Sequence, residues 1–485
     1  MAAGPRLVFA GTAVLVTWGV LAFGSPYPWA YIPLALGCAV TGAAAVWVTR
    51  GTDRMAGDQR RVLLALAVVA ACGAIQLVPL PAAVCDAVSP SNQRVLAQTD
   101  IGYAAAVSRV QLGEATGLPA RPLSIDPPAT RRALFLLLPL TLLLWGLVRL
   151  GNGHGVRPLV SWILVLGVAV ALIGIVQKAV LGDDPYEGMK IYGFWTPTGK
   201  LSKPFGPFVN KNHYAGWMVM AVSVALGYVL AQAQVGLRRV RPEWRARLLW
   251  LSSPDGGRLQ LAIGAVVVMG VALTVTLSRS GIACFAAAMV VAALVAVRHQ
   301  ASLGARLAIL VLLGALLVLP LRWANANLAR RFSPAMDDSI QLRRDIWGDT
   351  VRIVRDFPLT GTGLDTLARA MRVYHTVHPD QNVHEAHNDY LQIAAEGGLL
   401  VGVPAVAALL LLAAAVRRRF AEDEDAGASW LRFGAAIGLG AIALQSAVEF
   451  SLQMPGNAVL FVVLCALALH RPPRYAARSH GAAAA

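Results

Sequence analysis

The chain has 485 residues, 57% of them hydrophobic and only 14% charged, yet its formal net charge is +16. Soluble domains carry about 25% charged residues, so the composition excludes an ordinary soluble protein, and equally a disordered or collagenous chain. Five cysteines without paired or metal-ligand spacing exclude a disulfide framework and a zinc site.

About 20 apolar residues cross a bilayer as a helix. Twelve candidate runs follow in chain order, near 7–23, 29–49, 62–80, 131–150, 158–181, 214–235, 259–278, 281–298, 303–321, 389–416, 431–450 and 456–470. The expected fold is all-α: a single polytopic membrane domain over 1–485 with about 12 transmembrane helices. The first run has only Arg6 before it and no small-residue cleavage site after it, so it reads as a retained helix rather than a signal peptide. Basic residues in short loops set orientation. With the N-terminus cytoplasmic, those loops hold Arg50 to Arg61, Arg149 and Arg157, Arg238 to Arg247, Arg298 and Arg306, and Arg417 to Arg419. The short loops on the opposite side, at 24–28 and 451–455, hold no Lys or Arg. Both termini are therefore expected to be cytoplasmic. Three long segments, 81–130, 182–213 and 322–388, then face outward as periplasmic loops.

All five lysines fall within residues 178–211, and the 182–213 loop closes on Asn210, Lys211, Asn212 and His213 as the chain re-enters the membrane. These side chains suit hydrogen bonds to sugar hydroxyls or phosphate; a capped interfacial turn is the plainer alternative. Leu277-Ser278-Arg279-Ser280-Gly281 is so short that Arg279 must lie at or within the membrane boundary. A charge there is expensive and marks a functional candidate, unless it merely snorkels to the headgroups.

Loop 322–388 carries nine arginines and four of the nine histidines. Its stretch from Ser339 to Phe357 reads as an amphipathic helix, with Ile346, Thr350, Val351 and Val354 at helical spacing, Asp338 or Ser339 as cap and Pro358 as stop. Arg343 and Arg344 project from its flank, and pairs such as Arg352–Asp356 would make it a solvated face. The loop ends His384-Glu385-Ala386-His387-Asn388-Asp389-Tyr390, running straight into the tenth span. Asn388 or Asp389 caps that helix. His387 sits at its N-terminus, where the dipole disfavours a protonated imidazole and suits a general base. His375, His378, His384 and His387 form two His-x-x-His pairs, with Asp380 or Glu385 at hand, but no compact motif supplies a further ligand. No metal and no other cofactor is therefore assigned. Glu449, near the outer end of the eleventh span, is a candidate to pair with one of these arginines, the alternative being a residue that merely caps the membrane surface.

Cations at an outer lipid interface suit a lipid-diphosphate donor, with the arginines neutralising charge on the leaving group. At this point the residues resemble the bacterial O-antigen ligase and O-antigen polymerase family of integral-membrane glycosyltransferases. The resemblance covers about residues 160–465. It rests on Gly206 to Gly216 with Asn210 and Asn212, Ser278-Arg279-Ser280-Gly281, Arg343 to Trp347 followed by Phe357 to Gly363, and His387-Asn388-Asp389-Tyr390-Leu391 with Glu396-Gly397-Gly398. It implies an inverting, metal-independent transfer from an undecaprenyl-diphosphate-linked glycan to an acceptor hydroxyl, at a site facing the periplasm from the bacterial inner membrane. The catalytic residues it implies are His387, Arg343 and Arg279. Arg344, Asn210, Lys211, Asn212, His213, His384, Asn388 and Glu449 are the expected substrate-binding residues. The acceptor favoured is another repeat unit, giving an exopolysaccharide or O-antigen polymer; the alternative is ligation to a lipid A core. A twelve-span transporter is more distant, because the polar residues collect in one asymmetric outer loop. Expected partners are the donor, the glycan or lipid A-core acceptor, the bilayer, and flippase, chain-length or export proteins. No nucleic acid is expected, since most of the +16 charge is inward bias on short loops.

Overall fold

The computed structural model describes residues 3–51, 55–181, 190–197, 203–298, 314, 336–375 and 382–471, apart from 239, 242, 423 and 424. The described residues form α-helices and no strand. In chain order the first twelve are α1 (Ala3–Leu21), α2 (Pro28–Val48), α3 (Gly57–Ile75), α4 (Ala82–Val88), α5 (Ser91–Thr99), α6 (Ile101–Gln111), α7 (Pro127–His154), α8 (Arg157–Leu181), α9 (Lys211–Leu237), α10 (Trp244–Leu251), α11 (Pro254–Val275) and α12 (Arg279–Arg298). The remaining five are α13 (Met336–Asp356), α14 (Leu367–Tyr374), α15 (Asp389–Glu422), α16 (Ala426–Gln445) and α17 (Pro455–Leu469).

Among the described residues, eight helices, α1, α2, α7, α8, α9, α11, α15 and α16, are long and apolar enough to cross a membrane, and α17 and the first part of α12 are shorter apolar helices. The expected third span begins earlier, at Gly57, with Asp58, Arg60 and Arg61 in its first turns, and the expected ninth, 303–321, lies outside the described residues. The expected eleventh span stops at Gln445, so Glu449 belongs to the turn beyond it.

Small residues let these helices close on one another. α9, the most deeply buried span, packs chiefly on α16. A β-carbon on Gly227 would lie 2.6 Å from the Trp430 carbonyl oxygen and 2.8 Å from Gly434 Cα. The α2–α7 contact works likewise, since a β-carbon on Gly42 would meet the Leu142 backbone at 2.7 Å. Such close backbone approach replaces the hydrophobic drive that lipid cannot supply.

A second, smaller core lies beside the bundle. Val95 and Leu96 of α5, Tyr103 of α6, Ile346 and Ile353 of α13, and Leu367 and Met371 of α14 are buried together. Ion pairs fasten its two halves, Arg94 to Asp356 at 2.5 Å and Arg369 to Asp100 at 3.1 Å, and Arg132 of α7 pairs with Asp365 at 2.7 Å. The expected loop 81–130 thus contains three short helices, α4 to α6, and the start of α7, and α5 and α6 share a core with α13 and α14. The Arg352–Asp356 pair expected on α13 does not form. Arg352 bonds Asp349, while Asp356 is taken by Arg94 and the Tyr374 hydroxyl.

α15 is broken at Gly398, whose φ is +52°. The turn after α13 supplies the hydrogen bonds lost there. Thr362 and Gly363 donate to the Ala395 and Glu396 carbonyls at 3.0 and 2.9 Å, and Leu399 and Leu400 donate to Pro358 and Leu359, both at 2.9 Å. The 358–363 turn is therefore stitched into the helix whose N-terminus carries His387.

Candidate active site

Glu449 is the centre of the site. It is fully buried, 0% exposed, in the turn after α16. A buried carboxylate must be answered by donors, and here they come from three separate parts of the chain. Asn212, in the first turn of α9, donates its Nδ2 to Oε1 at 2.6 Å. Arg343 of α13 reaches the same oxygen through a guanidinium nitrogen. His387 places Nδ1 3.3 Å from Oε2. Burial alone raises this carboxyl; the hydrogen bond from His387 and the charge of Arg343 more than offset it, so the Glu449 pKa falls below the ordinary glutamate value.

His387 has φ +50°, the left-handed region that a residue other than glycine occupies at a cost of about 1–3 kcal/mol unless its surroundings enforce it. Phe450 lies beside it. The ring stands edge-on to His387 at 4.8 Å and to His213 at 4.5 Å, separating the two imidazoles. His213 is buried behind that ring.

The α9 entrance is built from its own cap. Asn210 Oδ1 accepts from the Asn212 backbone N–H at 2.9 Å. Lys211, also buried, donates from Nζ to the Leu277 carbonyl at 3.1 Å. Leu277 has φ +51°, the sharp turn demanded by so short a connection between α11 and α12. Ser278 then donates its hydroxyl to Asn212 Oδ1 at 2.8 Å. Asn212 is therefore a bridge: one end of its amide holds Glu449, the other holds the residue preceding Arg279. Arg279 opens α12 and is half-buried.

The fold thus gathers Asn212, Arg343, His387 and Glu449 by direct contact, adds His213 through Phe450, and adds the Arg279 turn through Ser278. It does not bring in Arg344 or His384, which are exposed and stand outside this network. Asn388 acts as the cap of α15, its Oδ1 accepting from the Leu391 N–H at 3.0 Å. The clustered lysines separate: Lys178 lies in the last turn of α8, Lys211 is buried, Lys203 is exposed, and Lys200 lies outside the described residues. Of the histidine pairs, His375 is bonded through Nδ1 to Asp349 at 2.7 Å. His378 and Asp380 lie outside the described residues, among which no group of three His, Cys, Asp or Glu side chains is arranged to hold a metal.

Phe450, Gln392 and Gln453 also belong to this neighbourhood. Nothing in their spacing marks them, because an aromatic and two amides at a membrane boundary are unremarkable residue types there; only the folding back of the 446–453 turn gives them a role.

Residues 264–406 match the family model described as O-antigen ligase. The matched stretch runs from α11 into α15 and carries Arg279, Arg343 and His387, whereas Asn212 and Glu449 lie on either side of it. No curated protein matches the chain.

Proposed function

We propose that this multi-pass membrane protein of the O-antigen ligase family transfers a glycan from an undecaprenyl-diphosphate carrier to an acceptor hydroxyl, at the periplasmic face of the bacterial inner membrane. The observation that carries this reading is the meeting of Arg343, His387 and Asn212 on one buried carboxylate, Glu449. With Nδ1–H directed at Glu449, the imidazole keeps its Nε2 lone pair for the acceptor. Nε2 takes the hydroxyl proton as the acceptor oxygen attacks the anomeric carbon. The bond from that carbon to the diphosphate oxygen breaks, and the electron pair leaves with the diphosphate. Arg343 and Arg279 are the cations placed to receive that charge. One direct displacement inverts the anomeric configuration, and the guanidinium groups do the charge-neutralising work that a divalent metal performs elsewhere.

Two acceptors fit. Polymerisation uses a second lipid-linked repeat unit; ligation uses a lipid A core, a reading the family description favours at least as well. Flippase and chain-length or export proteins are the partners such a reaction needs. Reconstitution in vesicles with a polyprenyl-diphosphate oligosaccharide separates the two. A ladder of longer chains without lipid A means polymerase; product only when a lipid A core is supplied means ligase. In the productive arm, His387→Ala lowers the rate by about 10²–10⁴-fold with an unchanged melting temperature, and turnover persists in chelator. Wild-type turnover in His387→Ala would remove the base assignment.

A further inference from the structure

We infer that Gln392, on the second turn of α15, is the positioning residue that holds His387 in its left-handed conformation. The strain at His387 requires something that over-determines the backbone around it, and one side chain does most of this. Gln392 is buried, 3% exposed. Its Oε1 accepts from the backbone N–H of Ala386, immediately before His387, at 2.9 Å. Its Nε2 lies 2.7 Å from Glu385 Oε2, one residue earlier, 3.1 Å from Glu396 Oε1 and 3.2 Å from Gln453 Oε1.

Both residues leading into His387 are thus tied to a single amide on the helix that follows it. The same amide touches Gln453 in the 451–453 turn, three residues beyond Phe450, the neighbour of Glu449. Gln453 extends the frame, donating to Asp389 Oδ1 at 2.9 Å. The chemistry demands an amide: a carboxylate at 392 loses the donor and adds charge beside Glu385 and Glu396, an amine loses the acceptor for Ala386, and an apolar chain loses both. Gln392 reaches the base and the carboxylate that orients it without touching either.

The inference rests on His387 as the base only in its activity arm. The test uses the full chain in nanodiscs and diethyl pyrocarbonate as the probe, with labelling of His387 read by mass spectrometry against exposed His384 in the same molecule. Gln392→Ala is expected to raise the His387:His384 labelling ratio about fivefold as the loop opens locally, with little change in melting temperature. In the transfer assay kcat falls about 10- to 100-fold while KM stays within about twofold, as for a displaced but still present base. An unchanged labelling ratio in a folded variant overturns the inference, as does a loss that falls on KM alone. If Gln392→Ala does not fold, Gln392→Glu keeps the acceptor for Ala386, drops the donor, and is read against the same two outcomes. The labelling arm needs no turnover, so it decides the positioning role even where the transferase reading fails.

Discussion

Glu449 has no contact with water, and a lone carboxylate in that position would be intolerable. Its partners therefore determine what happens when it is altered. Glu449→Gln keeps a group able to accept from Asn212 and Arg343 but removes the charge that orients the imidazole. Glu449→Ala leaves Asn212, Arg343 and His387 all unanswered and is expected to be the more damaging to stability. The pH dependence follows from the same contacts. The folded pKa lies below the ordinary value of about 4.3, so the stabilisation is complete above that pH and is lost as pH falls through the lower folded value. Melting curves taken downward from pH 5 should show wild type losing stability more steeply than Glu449→Gln; parallel curves would remove the ion pair from the account. Arg279 and His387 stand out in the sequence by position, one at a membrane boundary and one at a helix N-terminus, whereas Arg343 is singled out only by the family resemblance. Glu449 is visible too, but its partners are not. Asn212 stands 237 positions away and Arg343 stands 106 away, and no local periodicity connects them.

At the scale of elements, the break in α15 is the feature on which the site depends. Gly361 has φ +63°, and a β-carbon there would lie 2.2 Å from the Glu396 carbonyl. Gly361→Ala is expected to lower stability by about 2–3 kcal/mol, seen as an earlier thermal transition in detergent. Gly264→Ala is the control. That residue sits within α11 with open space around it, so its transition should move little. The sequence shows the Gly361-Thr362-Gly363 turn, the stop at Pro358 and eight of the spans, all from local pattern. It does not show that the turn would plug a broken helix, because a Glu-Gly-Gly step inside an apolar run looks like ordinary helix. Nor does it show α4–α6, whose short turns carry too few apolar positions to declare a face; α5 and α6 bury theirs with α13 and α14, and α4 packs on α5.

For the whole molecule, Asn212 and His387 stand at the starts of α9 and α15, and Arg238 and Arg417 to Arg419 stand towards the opposite ends of the same two helices. The positive-inside rule then predicts opposite chemical access. A membrane-impermeant maleimide should label Ile101→Cys, at a position 90% exposed, in cells whose outer membrane has been opened. Arg245→Cys should react only once the inner membrane is breached. The native cysteines are buried or half-buried, which keeps the background low, and the reverse pattern of labelling would invert the topology. Burial of α9 has a consequence in time as well as in space. Its main partner, α16, lies some two hundred residues downstream, so on the ribosome α9 enters the bilayer long before the surface it is shaped for exists. Asn212, Arg343 and His387 are each made before the carboxylate that gathers them. A nascent chain that stops short of Glu449 therefore carries these three side chains but not the carboxylate that gathers them.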